Sequence, residues 1–258
     1  NNREYHRANR ERIHMTKVLK DLNLENDFIF SKVMMDKDIC KIVLEHILNS
    51  EIEKVEFLSE QNTIDNRIES KGIRLDVYAK DEKGTIFNCE MQRGRKKELP
   101  KRSRYYQGSI DLDSIRKGEQ YTDLKPSYII FICTFDPFDQ NRCYYTFQET
   151  CAEDKNLLLG NETTKVFLNT RGKAENVDDI LKEFLGYVEN STDAYVKNTK
   201  SDLVKLLHKR VNEVKESKEL EVQFMTLMQR ERETLEEGKE VGREEAMNMM
   251  KLFHKGYS

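Results

Sequence analysis

The sequence predicts an α/β domain followed by a helical, highly charged C-terminal region. Three observations carry that prediction. Apolar residues recur at helical steps over 27–48, then at period two over 73–80 and 85–92. The run Tyr128-Ile129-Ile130-Phe131-Ile132-Cys133 reads as a strand buried on both faces. Beyond about residue 176 the pattern is helical and dense in charge. Helices interleaved with strands give a layered α/β arrangement.

Taken in order, residues 1–25 form a basic arm: Arg3, Arg7, Arg10, Arg12, Lys17 and Lys20 against Glu4, Glu11 and Asp21. A helix is predicted over 27–48, where Phe28, Phe30, Val33, Met34, Ile39, Val43, Leu44, Ile47 and Leu48 recur every three or four residues. Asn26-Asp27 offers its N-cap and Asn49-Ser50 its stop. The first strand is placed over Val55 to Ile64. In the second, Ile73 to Lys80, residues Ile73, Leu75, Val77 and Ala79 share one face and Arg74, Asp76, Tyr78 and Lys80 the other. In the third, Thr85 to Gln92, Phe87, Cys89 and Met91 oppose Ile86, Asn88, Glu90 and Gln92. If Asp81 faces Thr85, the hairpin loop is Glu82-Lys83-Gly84, with glycine where a left-handed backbone is needed. A helix over Lys101 to Gly118 follows, with Pro100 in its first turn and Tyr105, Ile110, Leu112 and Ile115 as apolar positions. Ser127 to Phe135, Tyr144 to Phe147 and Lys165 to Leu168 are further strands. Helices are expected over Val177 to Val188, Thr199 to Val214 and Lys215 to Phe253. These patterns divide the chain into an arm (1–25), an α/β domain (26–172) and a helical region (177–258). The last helix has poor heptads, so it reads as a solvated helix or one face of a homo-oligomer rather than a coiled coil.

Composition removes several classes. Of 258 residues, 37% are hydrophobic and 35% charged, against about 25% charged in ordinary domains. Lys+Arg is 44 and Asp+Glu 47, a net charge of -3, so any basic surface must be local. No apolar run approaches the length of a transmembrane helix, and residues 1–12 lack the apolar stretch of a secretory signal. Cys40, Cys89, Cys133, Cys143 and Cys151 are odd in number and show no C-x-x-C spacing, which speaks against a disulfide scaffold or zinc ribbon and for a cytoplasmic setting. There is no Walker A loop, no G-x-S-x-G elbow and no H-E-x-x-H.

The hairpin register carries the chemistry. With Asp81 opposite Thr85, Asp76 faces Glu90, and Gln92 shares their side of the sheet. Directly opposed β-carbons lie about 5 Å apart, where two like charges are unfavourable without a cation between them. A divalent metal is one remedy, since Mg²⁺ takes oxygen ligands from one or two carboxylates. Arg74 is another, and an ordinary solvent-facing polar side of a hairpin is a third reading. A basic segment follows directly: Arg93, Arg95, Lys96, Lys97, Lys101, Arg102 and Arg104, ending at Tyr105 and Tyr106. Such a segment either is a solvated loop or neutralises phosphates, with the aromatics on sugars or bases.

Four segments, Asn26-Asp27-Phe28-Ile29-Phe30, Gly72-Ile73-Arg74-Leu75-Asp76-Val77-Tyr78, Glu90-Met91-Gln92 and Arg102-Ser103-Arg104-Tyr105-Tyr106, occur in this order. Over residues 24 to 170 the chain resembles the PD-(D/E)XK nuclease superfamily, and within it the recombination-promoting nuclease and transposase family. The resemblance implies a restriction-endonuclease-like core of helix, three strands, helix and strand. It implies a metal-dependent DNA endonuclease acting in transposition-like recombination. Asp76 and Glu90 would bind Mg²⁺ (or Mn²⁺), the Met91 carbonyl would add a ligand, and Gln92 would stand where the superfamily has lysine. Asp27 or Glu45 would supply an additional acid from the first helix. Arg95, Lys96, Lys97, Lys101, Arg102, Arg104 and Tyr106 would contact DNA. The chain departs from the superfamily in carrying Leu75 instead of proline before the acid and Gln92 instead of lysine. Those departures support the alternative of a weak or inactive DNA-binding and assembly module.

Overall fold

A computed structural model describes residues 18–58, 63–64, 73–95, 97–175 and 177–254. Most of the expected basic arm and Lys96 lie outside these residues, as do Gly72 and much of the expected first strand. The chain divides into two compact units. One is Leu22–Val214. The other draws on Asn1–Asp21 and Lys215–Ser258, of which residues 18–21 and 215–254 are described. The helices between 177 and 214 therefore belong with the sheet. The line drawn near residue 177 marks a change of composition, whereas the compact unit runs on to Val214.

The apolar period over 27–48 is carried by two helices, α1 (Asp27–Met34) and α2 (Lys37–Leu48). Asp36 breaks them. Its backbone is extended, and its carboxylate accepts from the N–H groups of Asp38 and Ile39, so it begins a new helix where the period alone would continue the old one. The cap of α1 is Asn26, whose side chain accepts from Phe28 and Ile29, with Asp27 already in the first turn.

Six strands form the main sheet in the order β1 (Val55–Phe57), β4 (Val77–Asp81), β5 (Ile86–Gln92), β6 (Ser127–Cys133), β8 (Thr163–Asn169) and β7 (Tyr144–Phe147). Pairing is antiparallel between β1, β4 and β5, parallel between β5, β6 and β8, and antiparallel again at β7. The β4–β5 hairpin has the expected register: Val77 faces Cys89, Ala79 faces Phe87, and Gly84 adopts φ 85°. Two expected strands are divided. β2 (Thr63–Ile64) and β3 (Ile73–Arg74) pair with each other in a separate ribbon, and the chain bends at Asp76 before entering β4. That bend resets the alternation. Leu75 joins the cluster of Tyr78 and Ile86 on one face, instead of sharing the opposite face with Val77 and Ala79.

The helix after the hairpin, α3 (Leu99–Ser114), starts two residues early and stops at Ile115, whose backbone is extended. Pro100 sits in its first turn, as expected. Its buried side is Leu99, Ser103, Tyr106, Gln107 and Ile110, while Tyr105 and Leu112 are exposed. α3 covers one face of the sheet, packing Leu99, Tyr106 and Ile110 with Tyr78, Ile86, Ile129, Phe131 and Phe167. On the other face Val77, Ala79, Phe87, Cys89, Met91, Ile130 and Ile132 are buried, where α1 meets β5 and α2 meets β1. The hairpin is covered on both sides, so the face carrying Asn88, Glu90 and Gln92 is interior. This overturns the reading of that face as a solvent-facing surface.

After β8 come α4 (Asp179–Glu189), a short α5 (Asp193–Asn198) absent from the sequence reading, α6 (Asp202–Glu216) and α7 (Lys218–His254). α4 closes back on the start of the unit: the Val188 carbonyl accepts from Glu25 N–H, and His46 of α2 pairs with Asp178. In the second unit Leu19 and Phe224 are buried, while Val222, Leu235, Val241 and Met247 of α7 are exposed. No helix among the described residues is long and apolar enough to cross a membrane.

Candidate active site at the carboxyl end of the parallel strands

In open α/β sheets ligands bind beyond the carboxyl ends of the parallel strands. Here those ends are Gln92, Cys133 and Asn169. Glu90 and Gln92 lie on the last turn of the pleat of β5, and antiparallel β4 begins beside them, which brings in Asp76. The main-chain ladder stops at Val77 and Cys89. Beyond it the two carboxylates replace the missing ladder bonds. Asp76 N–H donates to Glu90 Oε1 at 3.1 Å, and Met91 N–H donates to Asp76 Oδ2 at 2.9 Å. Each acid is thus oriented by the backbone of the other's strand.

Glu90 is 1% exposed and Gln92 5%, whereas Asp76 is half-buried. Burial, and after it the charge of Asp76, hold the Glu90 carboxyl well above the usual carboxylate range; the Asp76 N–H and Arg102 pull the other way. Arg102 enters from α3. Its Nη2 donates to Glu90 Oε2 at 3.4 Å, its Nη1 to Gln92 Oε1 at 3.1 Å and its Nε to the Tyr106 hydroxyl at 2.6 Å. Its guanidinium also lies 5.1 Å from the centre of the Tyr106 ring. Burial first, then Glu90, push the Tyr106 phenol up to about 12, so it stays protonated near neutrality.

The structure therefore brings together Asp76, Glu90, Met91, Gln92, Arg102 and Tyr106. Arg102 and Tyr106 are turned inward to the acids, away from the exposed basic surface of Lys97, Lys101 and Arg104. Arg95 is paired with Asp139 on the surface. Asp27 forms an ion pair with Arg93, 3.8 Å away, just past the end of β5. Glu45 is committed elsewhere: it accepts from Ile52 N–H and Lys41, both at 2.9 Å, and fixes the turn between α2 and β1. Among the described residues no cluster of three or more His, Cys, Asp or Glu side chains is arranged to hold a metal.

Two features escaped the sequence reading. Asn88 is fully buried two residues before Glu90, and its side chain is among the groups that lower the Glu90 pKa. Arg102, only partly exposed, pairs with Glu90 and Gln92. Its signal was the four-residue spacing from Tyr106, which places it beside the buried stripe of α3.

A mixed six-stranded sheet with helices on both faces is consistent with the PD-(D/E)XK fold. The family described as PD-(D/E)XK nuclease family transposase matches residues 24–251, and the chain belongs to that family. Searches of curated proteins and of solved structures gave no match.

Proposed function

We propose that this protein is a divalent-metal-dependent DNA endonuclease that hydrolyses phosphodiester bonds in transposition-like recombination. The observation that carries the reading is the buried Asp76–Glu90 pair, clasped by reciprocal backbone hydrogen bonds at the carboxyl end of β5. PD-(D/E)XK nucleases generally use divalent ions, and the donors here suit a hard one. They are all oxygen, and the buried Glu90 lies beside a second carboxylate and shares the Arg102 guanidinium with Gln92. Asp76 and Glu90 would hold Mg²⁺, or Mn²⁺ in its place, with the Met91 carbonyl as a further ligand. Such an ion supplies Lewis acidity toward a phosphate oxygen and lowers the pKa of water.

The chain's own groups do the rest. Gln92 carries no proton to shuttle, so it acts by orientation. Its Oε1 is held by Arg102, which aims the amide nitrogen as a donor toward a water or phosphate oxygen. Tyr106 holds Arg102. Lys97, Lys101 and Arg104, exposed on one flank, would neutralise neighbouring phosphates, as would Lys96 and Arg95. Asp27 is the better placed of the two additional acids, because its partner Arg93 adjoins Gln92. We assign the nuclease reaction to the α/β domain, a homo-oligomer contact to the charged C-terminal helices and a cytoplasmic setting to the whole.

The test is supercoiled plasmid with Mg²⁺, Mn²⁺ or chelator, for the wild type, Asp76→Asn and Glu90→Gln. The expected result is metal-dependent nicking or linearisation, lost by at least about 100-fold in either variant. Unchanged cleavage in both variants overturns the assignment. A second reading, a DNA-binding and assembly module, draws on Gln92 in place of lysine and on Arg102 seated against Glu90. It predicts salt-sensitive DNA binding that is indifferent to Asp76 and metal, with no cleavage.

A further inference from the structure

Arg102 touches both acidic-site positions at once: Glu90, assigned to the metal, and Gln92, which stands at the lysine position. Its three contacts are graded. The shortest, 2.6 Å, is to Tyr106; the next, 3.1 Å, to Gln92; the longest, 3.4 Å, to Glu90. The Tyr106 ring supports the guanidinium as well. Tyr106 and Gln92 therefore anchor the group, and it leans on Glu90 more loosely. A guanidinium cannot lose its charge near neutral pH, so it is a permanent cation. Glu90 Oε1 is already used by the Asp76 N–H. An ion approaching Glu90 meets the guanidinium at the other oxygen.

We propose that Arg102 is a positioning residue, a standing cation at this site. It competes with a divalent ion for Glu90 and, through Gln92, keeps a fixed positive charge where the chain lacks a lysine. The inference rests on the reading of Asp76 and Glu90 as an ion site. It accounts for the departure at position 92: a neutral glutamine is useful there because an arginine from α3 lies behind it. It also separates Arg102 from Lys101 and Arg104, whose exposed side chains have no comparable seat.

Its signature is two effects of opposite sign. Removing the charge relieves the competition and tightens the ion. It also strips the cation from Gln92 and slows cleavage. A merely structural arginine would weaken both or neither. The experiment is calorimetric titration of the full chain with Mn²⁺, without DNA, beside plasmid cleavage. The proteins are wild type, Arg102→Gln, Arg102→Met, Arg102→Lys, Lys101→Gln and Glu90→Gln, each checked for a cooperative melt.

The expected result is Mn²⁺ bound about tenfold tighter by Arg102→Gln, an order set by one unit charge moved a few ångströms from the ion. Cleavage by the same variant falls at least about 100-fold. Arg102→Met behaves alike and serves if the glutamine variant does not fold. Arg102→Lys keeps wild-type affinity for the ion, and Lys101→Gln shows no tightening. Mn²⁺ affinity that depends on Glu90 but is unchanged or weaker in both neutral variants overturns the proposal and leaves the ion site standing. Absence of Glu90-dependent binding in every protein overturns the ion site and the proposal together.

Discussion

At the scale of single residues, the acids are costly to the fold that holds them. Glu90 is buried against another carboxylate and has one arginine, shared with Gln92, as its counterion. A buried charge so incompletely matched destabilises. Burial and the charge of Asp76 raise the Glu90 pKa, so its ionisation costs stability above the unfolded carboxyl range, and Glu90→Gln should raise the melting temperature in chelator near pH 7, even as it abolishes cleavage. A lower melting temperature would show that Arg102 and the Asp76 N–H fully compensate the charge. Glu45 has the opposite character. Burial alone would raise its pKa, but the Ile52 N–H and Lys41 outweigh it and leave the group below the usual range. A carboxyl depressed in the folded state adds stability above its unfolded pKa and loses it as pH falls. Glu45→Gln should thus cost about 1 kcal/mol near pH 7, and the difference from wild type should shrink in melts toward pH 4. Glu90 and Gln92 could be placed on one side of β5 from sequence, because strand period fixes which residues share a face, whereas Asp76 lies at a bend just outside β4, where the period no longer holds. What covers that face was not legible. Period two says nothing of the layer above, so neither the burial of Asn88 and Glu90 nor the inward turn of Arg102 could be read.

At the scale of elements, the divisions between helices and between strands are set by side-chain contacts that leave the apolar period unbroken. A helical period continues unbroken through Asp36, and a strand period through Asp76, yet each acid uses its side chain to end one element and start or orient the next. Both acids contact backbone N–H groups, and period counting is blind to such contacts. The β4–β5 turn was legible for the converse reason: Gly84 announces the left-handed backbone that it adopts. A second glycine is fixed by space instead. A β-carbon on Gly172 would fall 2.3 Å from the backbone of Arg142, where the segment after β8 crosses the start of β7. Asn169 and Lys173 tie the same crossing through the Arg142 carbonyl and Cys143 N–H. Gly172→Ala should destabilise by about 2–4 kcal/mol, an overpacking the backbone cannot relieve by a rotamer change. Denaturant melts would measure it, and a cost below about 0.5 kcal/mol would mean that the crossing is mobile.

At the scale of the whole molecule, the change of composition near residue 177 and the end of the compact unit at Val214 are different things. Helices α4 and α6 carry apolar stripes (Leu181, Phe184, Leu185 and Val188, then Leu203, Val204, Leu207 and Val211) that are buried, so their charge is one-sided. A chain ending at residue 176 would expose the surfaces that α4 covers; one spanning 22–214 keeps them. The shorter form should aggregate or melt without cooperativity, and the longer one should melt in a single transition. Sedimentation of the 22–214 form against the full chain then tests oligomerisation: equal assembly states would remove α7 from that role. Over α7, the exposed Val222, Leu235, Val241 and Met247 are spaced too irregularly for a heptad seam, as the sequence already suggested.

The reciprocal clasp of Asp76 and Glu90 also makes the site observable from the main chain. Two amide protons, those of Asp76 and Met91, point at the carboxylates assigned to the ion. Their resonances are built-in spectroscopic probes. In a Mg²⁺ titration followed by amide NMR, these two should move first and saturate together, while the amides of β7 hold still. Occupancy of the site could then be read without DNA and without turnover.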